Sequence, residues 1–367
     1  MKHELERIEI PGEHEARVRA WSVLESALAE RRPVERRPRM VRPAIAVAVV
    51  VAALAAVLSP PGQAVLDEIR EAVGVERAQP ALFSLPTPGR MLVASDAGLW
   101  IVQQDGSKRL LGPYREGSWS PFGRFVVASG ENELAALEPD GDVRWTLARP
   151  GVRFPRWAGS ETDTRIAYQG QNAPHVVAGD GTDDGPVCAI SARRIAPAWR
   201  PDAGFVLALV APSGAPYAVD LDSCVVPWTA AAFARPRRVE WSSDGTRLLV
   251  VGAGAIRILD GRTGRLVAST RGADAAWRPG SDTLARIFNR AGASRVIVGR
   301  KVVFSATGRL VQPSWTPDGR WLVVGWPTAD QWVFVRADGK RIRAVSNVSE
   351  QFRSASFPRI EGWVGSD

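Results

Sequence analysis

The chain has 367 residues, 45% of them apolar, with 47 basic against 39 acidic side chains and a net charge of +8. That is room for one large domain plus a tail, and it excludes a disordered or collagen-like polypeptide. All but four of the basic residues are arginine; beyond residue 80 they are scattered among acids, which reads as a solvated surface and makes a nucleic-acid stripe the poorer account.

Residues 1–42 divide in two. From Glu13 to Glu30, apolar side chains including Trp21, Leu24 and Leu28 recur at helical spacing between charged ones, predicting a short amphipathic helix. The stretch RRPVERRPRMVR that follows contains two prolines and predicts an extended basic linker. An isolated helix of this length is marginal in water, so Trp21, Leu24 and Leu28 are candidate contacts for a cytoplasmic partner; the anionic inner leaflet and simple fraying are the alternatives.

Residues 44–58 form an unbroken apolar run, AIAVAVVVAALAAVL, within an uncharged stretch reaching Ala64. About 20 uncharged residues suffice to cross a bilayer, and the run has no polar face with which to sit as a core helix. A single transmembrane helix is therefore expected over 43–64. Arg31, Arg32, Arg36, Arg37, Arg39 and Arg42 precede it and Asp67 and Glu68 follow it. This asymmetry places the N-terminus in the cytoplasm and the remainder outside, as an uncleaved signal anchor. Residues 65–88 read as a stalk helix, with Val65, Ile69 and Val73 on one side and Gly74 to cap it, and a linker.

From residue 89 to 367 the pattern changes to strands and turns. WSPFGRFVV at Trp119, WAGSETDTRIAY at Trp157, WRPDAGFVLAL at Trp199, WSSDGTRLLVV at Trp241, WRPGSDTLARI at Trp277 and WTPDGRWLVV at Trp315 repeat one phrase at about 36 to 42 residues. A tryptophan, a tight turn and a β-rich run at this period are the signature of an all-β propeller. Met91–Gly112 supplies three strands of an opening blade that lacks its leading strand, and Phe357 falls where a seventh anchor is due. The C-terminal strand is thus expected to complete the first blade of a seven-bladed ring, which has no exposed edges. Six or eight blades are the alternatives, because the unit between Trp157 and Trp199 is long and irregular.

The phrase W-[ST]-P-D-G-[RK] followed by an apolar strand, closest at WTPDGR and WSSDGT and degraded at WAGSET and WRPGSD, resembles the TolB-type and WD-like bacterial propeller repeats. The resemblance covers roughly residues 88–367 and implies the fold. That superfamily spans scaffolds, receptors and non-catalytic halves of peptidases, so it implies no single activity. A propeller anchored behind a short cytoplasmic helix is also similar to membrane-tethered regulators that hold a transcription factor.

Chemistry is nearly absent from the text. Of three histidines only His175 lies in the repeats, as a solvated side chain at a strand edge, which excludes a histidine-rich metal site. There is no G-x-S-x-G elbow and no phosphate-binding G-K-[ST], and GAGAIRILDG has glycines at the wrong spacing for a dinucleotide site. GDGTDDG, with Asp180, Asp183 and Asp184, lacks the alternation and closing Glu of a calcium loop and reads as a turn. Cys188 and Cys224, the only two cysteines, fall in successive repeats and suit either a disulfide or two buried thiols. Trp321, Trp326 and Trp332 are a candidate aromatic binding patch, with packing between blades as the plainer reading. No catalytic, cofactor or metal residue is assigned. The expectation is a single-pass cell-membrane protein whose extracytoplasmic propeller is a non-enzymatic interaction or sensing module with a protein partner. The alternative is a glycan- or lactone-cleaving propeller with acids in its central channel.

Overall fold

A computed structural model describes residues 84–365 apart from 161, 202 and 203. The expected cytoplasmic helix, transmembrane run and stalk lie outside the described residues, among which no helix is long and apolar enough to cross a membrane. Their strands form seven four-stranded antiparallel sheets, each a consecutive stretch of chain except the first. Blade 1 is built from 90–112 and the terminal strand Arg359–Val364; blades 2 to 7 span 116–148, 153–186, 198–229, 238–271, 274–307 and 311–346.

Position within a blade sets the residue pattern. Second and third strands such as Val206–Val210 and Gly98–Val102 are buried along their whole length, because neighbouring blades cover both faces. They consequently read as continuous apolar runs. Fourth strands such as Leu266–Arg271 and Val143–Ala148 are largely exposed and alternate or turn polar.

The repeated phrase ties blades together at three of the junctions, while the indole N–H groups of Trp119, Trp157 and Trp277 are buried without a partner. The indole N–H of Trp241 donates to the Ala198 carbonyl at 3.0 Å, that of Trp315 to Ala276 at 3.3 Å and that of Trp199 to Arg156 at 2.8 Å. In each case the acceptor is the residue just before the preceding anchor tryptophan, so a buried donor on one blade is satisfied by the backbone of the last. Arg200 and Arg278, which directly follow anchors, lie over the next ones at 5.6 Å from Trp241 and 5.7 Å from Trp315. Their Nε atoms donate to Gly245 at 3.1 Å and Gly319 at 2.8 Å. The turn itself is tied by its aspartate: Asp244 accepts from the Ser242 hydroxyl at 2.6 Å and the Thr246 amide at 3.1 Å. Gly245 follows at φ +66, a left-handed conformation that explains the D-G pair.

Closure follows the expected route, with one correction. Arg359–Val364 pairs antiparallel with Arg90–Ser95, but the anchor position in its register is Gly362, opposite Leu92. GRMLV at Gly89 aligns with GRWLV at Gly319, and Trp315 stands opposite Leu322 just as Gly362 stands opposite Leu92. Phe357 precedes the strand and packs against the buried cluster shared by blades 7 and 1. The short helix Val348–Gln351 lengthens this connection, so counting a repeat length from Trp315 stops short of the true position.

Cys188 and Cys224 form a disulfide, with Cα atoms 5.4 Å apart and a sequence separation of 36. It ties the chain leaving blade 3 to the third turn of blade 4, where the flanking strands, Gly185–Pro186 and Ala198–Trp199, are only two residues long. A crosslink closing a loop of this length limits the unfolded chain by about 3–4 kcal/mol. Replacing both cysteines with serine is expected to lower the urea unfolding free energy by about that amount, and an unchanged value would show that the clasp contributes nothing.

Hydrogen bonds from Ser242 and Thr246 hold the Asp244 carboxyl down to about 2. Because its unfolded value is higher, near 4, the turn's contribution is complete above that pH and is lost as the pH falls through about 2. Unfolding midpoints of the wild type and Asp244→Ala should therefore differ at pH 6 and converge between pH 4 and pH 2; a constant gap would contradict this.

Candidate functional site

Each inner strand starts on one face of the ring, runs along the axis to its tryptophan and turns back on the opposite face. The connections between blades and the turns between second and third strands thus share the first face. A cavity of about 630 Å³ opens there, lined by blades 1, 2, 3 and 7. Blades 7, 1, 2 and 3 are consecutive around the ring, and Arg115, Arg153, Arg309 and Arg359 open or precede their inner strands, so the cavity lies at the axial ends of those strands, at the mouth of the central channel. Its volume is that of a ligand pocket.

Four arginines line it: Arg115 and Arg153, which open or precede the inner strands of blades 2 and 3, Arg309 before that of blade 7, and Arg359 at the start of the closing strand. Apolar surface between them comes from Pro113, Tyr114, Val311, Pro327 and Phe357. The backbone is distorted at this rim. Register shifts fall between Arg153 and Arg156 and between Val311 and Ser314, with Phe154 at φ 54 and Gln312 at φ 53. Such bulges redirect side chains and gather at sites.

The arginines differ in how far they are neutralised. Arg153 donates through Nε to Glu116 at 3.0 Å, and the other oxygen of that buried carboxylate takes the Phe154 amide at 2.6 Å. Arg359 meets Glu361 at 3.3 Å and also donates to the Arg115 carbonyl at 3.0 Å. Arg115 has only an exposed pair with Glu131 at 3.5 Å, which solvent screens. Arg309 has no carboxylate partner among the described residues. The one acid lining the mouth, Asp96, is taken by the Ser356 amide at 2.8 Å and hydroxyl at 2.6 Å, and these bonds hold its pKa below the usual carboxylate value.

On the inner strands of blades 5 and 6, carboxylates are paired in the same manner. Glu240 accepts the Trp277 amide at 3.0 Å and faces Arg238 at 3.6 Å; Arg238 in turn reaches Asp274 at 3.1 Å. Burial pushes the carboxyls of Glu240 and Glu361 upward, with Arg238 opposing it at the first and Arg156 and Arg359 at the second. The Arg238–Asp274 pair and the Glu240 bond to the Trp277 amide join blades 5 and 6.

The residues singled out in the sequence are placed differently. Trp321 and Trp332 are buried, the latter completely and 5.1 Å from the Phe352 ring, while Trp326 packs edge-on to Phe304 at 6.3 Å. They are inter-blade packing and form no exposed patch. Asp184 is buried against the Tyr168 hydroxyl at 2.5 Å and the Arg149 guanidinium. Asp180 accepts from the Thr182 amide at 3.0 Å within a turn. No metal-binding group of acids, histidines or cysteines occurs among the described residues. His175 corrects the solvated reading: its ring stacks on Tyr168 at 5.3 Å, and its Nδ1 is buried without a hydrogen-bond partner. Trp21, Leu24 and Leu28 lie outside the described residues. The mouth arginines escaped sequence reading, although Arg115, Arg153 and Arg359 share a signal: each opens or immediately precedes an inner strand, four residues before Trp119 and Trp157 and three before Gly362.

No family model and no curated protein matches this chain. Among solved structures, the C-terminal WD40 domain of Sif2 superposes with a TM-score of 0.53 at 14% identity, covering 70% of this chain and 82% of that one. The dihydro-heme d1 dehydrogenase NirN, solved in complex with DHE, does so with a TM-score of 0.53 at 13% identity, covering 78% and 68%. At these identities the likeness shows the fold alone: the chain folds as a WD40-like seven-bladed β-propeller.

Proposed function

We propose that this protein is a non-enzymatic interaction or sensing module, held at the cell membrane by residues 43–64, with the propeller outside and residues 1–42 in the cytoplasm. The observation that carries the binding role is the state of the channel acids. Glu116, Glu240, Asp274 and Glu361 are each engaged by an arginine or a backbone donor, and what the rim presents is arginine and apolar surface. An acid–base pair for glycan or lactone cleavage needs a carboxylate free to exchange its proton with substrate, so the enzyme reading has the weaker support.

The membrane assignment is supported by the apolar run 44–58 with its arginine-rich flank and by a disulfide, which persists in oxidising compartments. In the regulatory form of this reading, the helix around Trp21 holds a cytoplasmic partner and the propeller conveys what it meets outside.

The test is cellular. The full chain should stay with membranes through alkaline carbonate, protease added outside should digest the propeller, and affinity purification should recover one dominant cytoplasmic protein that Trp21→Glu loses. Release by carbonate, or a propeller protected from external protease, would overturn the topology. Recovery unaffected by Trp21→Glu would overturn the regulatory form.

A further inference from the structure

The two faces of the ring differ as a consequence of how it is wound. Turns from first to second and from third to fourth strands lie opposite the mouth. Their D-G corners place Asp105, Asp140, Asp180, Asp244, Asp318 and Asp338 there. The chain also enters the described fold on that side, since Arg90–Ser95 runs from it toward the mouth. The mouth is therefore remote from the chain's point of entry. The opposite face also carries Arg144, Arg262, Arg265, Arg300, Lys301 and Lys340 beside those aspartates, so what distinguishes the mouth is the cavity itself, whose lining holds four arginines and one acid, Asp96.

Within the mouth, the unneutralised charge is localised. Arg153 and Arg359 have Glu116 and Glu361 behind them, whereas Arg309 has no carboxylate and Arg115 only the screened Glu131. Guanidinium groups in this state suit the bidentate recognition of carboxylates. Prolines, Val311 and the rings of Tyr114 and Phe357 alternate with them around the cavity. A ligand filling this space must carry both negative charge and apolar groups. A bare inorganic anion would leave the apolar lining uncovered, and a flat lipid surface would not enter a recessed cavity of about 630 Å³. An extended peptide with acidic and apolar side chains meets both requirements.

We infer that the mouth binds a short acidic segment of a protein partner, its carboxylates held by Arg115 and Arg309 and its apolar side chains seated on Phe357, Val311 and Pro113. This rests on the interaction reading above and names the ligand class for it. The bulged strands at Phe154 and Gln312 fix the rim, so the site is formed before the segment arrives and its affinity is not spent on ordering loops.

The probe is a random dodecapeptide library displayed on phage and selected on the full chain in detergent micelles. The recovered pool should be enriched in Asp and Glu interspersed with apolar residues. A synthetic consensus peptide should then lose at least about tenfold in affinity on Arg115→Gln/Arg309→Gln and none on Arg124→Gln, which lies on the opposite face. Its affinity should also fall with added salt. A pool without acidic enrichment, or unchanged affinity in the double variant, would overturn the inference. So would displacement by inorganic pyrophosphate as effective as by the free peptide, which would mark a small-anion site. Arg309-dependent binding to phosphatidylglycerol vesicles in preference to the peptide would assign the mouth to lipid and overturn it equally. If a protein partner co-purifies undiminished with the double variant, the ligand class falls and the interaction reading stands.

Discussion

The pairing of Arg359–Val364 with Arg90–Ser95 is the constraint on which the rest of the molecule depends. Second strands such as Val206–Val210 and Arg247–Val251 are apolar and buried on both faces, so their blades need a neighbour on each side. Such a set of sheets has no satisfactory end except in a ring. The terminal strand supplies the missing inner strand of blade 1 and gives it the same four strands as the other six. The same segment builds the mouth, bringing Arg359 to the rim and Ser354 and Ser356 to Asp96 across a sequence separation of about 260 residues.

The junctions between blades solve one problem with several devices. Where the repeat is intact, an indole donates to the previous blade and an arginine lies over the next indole. At the closing blade the indole position is Gly362, yet two parts of the device persist. Arg90 lies 4.8 Å from the Trp119 ring and donates to Gly123 at 2.7 Å, and the neighbouring Trp363 donates its indole N–H to Ser314 on blade 7 at 3.0 Å. Between blades 3 and 4, where the strands are shortest, a covalent bond is added to the indole bond of Trp199. Around the axis, the alternating charges of Glu116 and Arg153, and of Arg238 with Glu240 and Asp274, link adjacent inner strands while filling the channel with paired groups.

The ring was legible because its cause is local and repeated. A tryptophan followed by a turn and an apolar run states a junction in one phrase, and six copies state the architecture. Closure was legible from the incomplete first unit, though Phe357 was the wrong residue: an inserted helical turn is invisible to a period count. Clustered aromatics gave a false lead at Trp321, Trp326 and Trp332, because side chains filling space between blades and side chains offered to a ligand look alike in sequence. The mouth was illegible for a different reason. Its arginines come from blades 1, 2, 3 and 7, far apart in the chain, and only the winding brings them together. Aligning the inner strands would have exposed part of the signal, namely the arginine shortly before each of three anchor positions.

The sealed ring holds the mouth arginines at the ends of its inner strands, and among the described residues Glu116, Glu240, Asp274 and Glu361 are each paired. The most direct measurement of this account is amide hydrogen exchange along the full chain. Arg90–Ser95 and Arg359–Val364 should exchange as slowly as Arg247–Val251 in the interior of blade 5, and deleting the chain from Arg359 onward should collapse protection throughout. Fast exchange in the two closing strands, or protection that survives the deletion, would contradict the claim that their pairing holds the ring together.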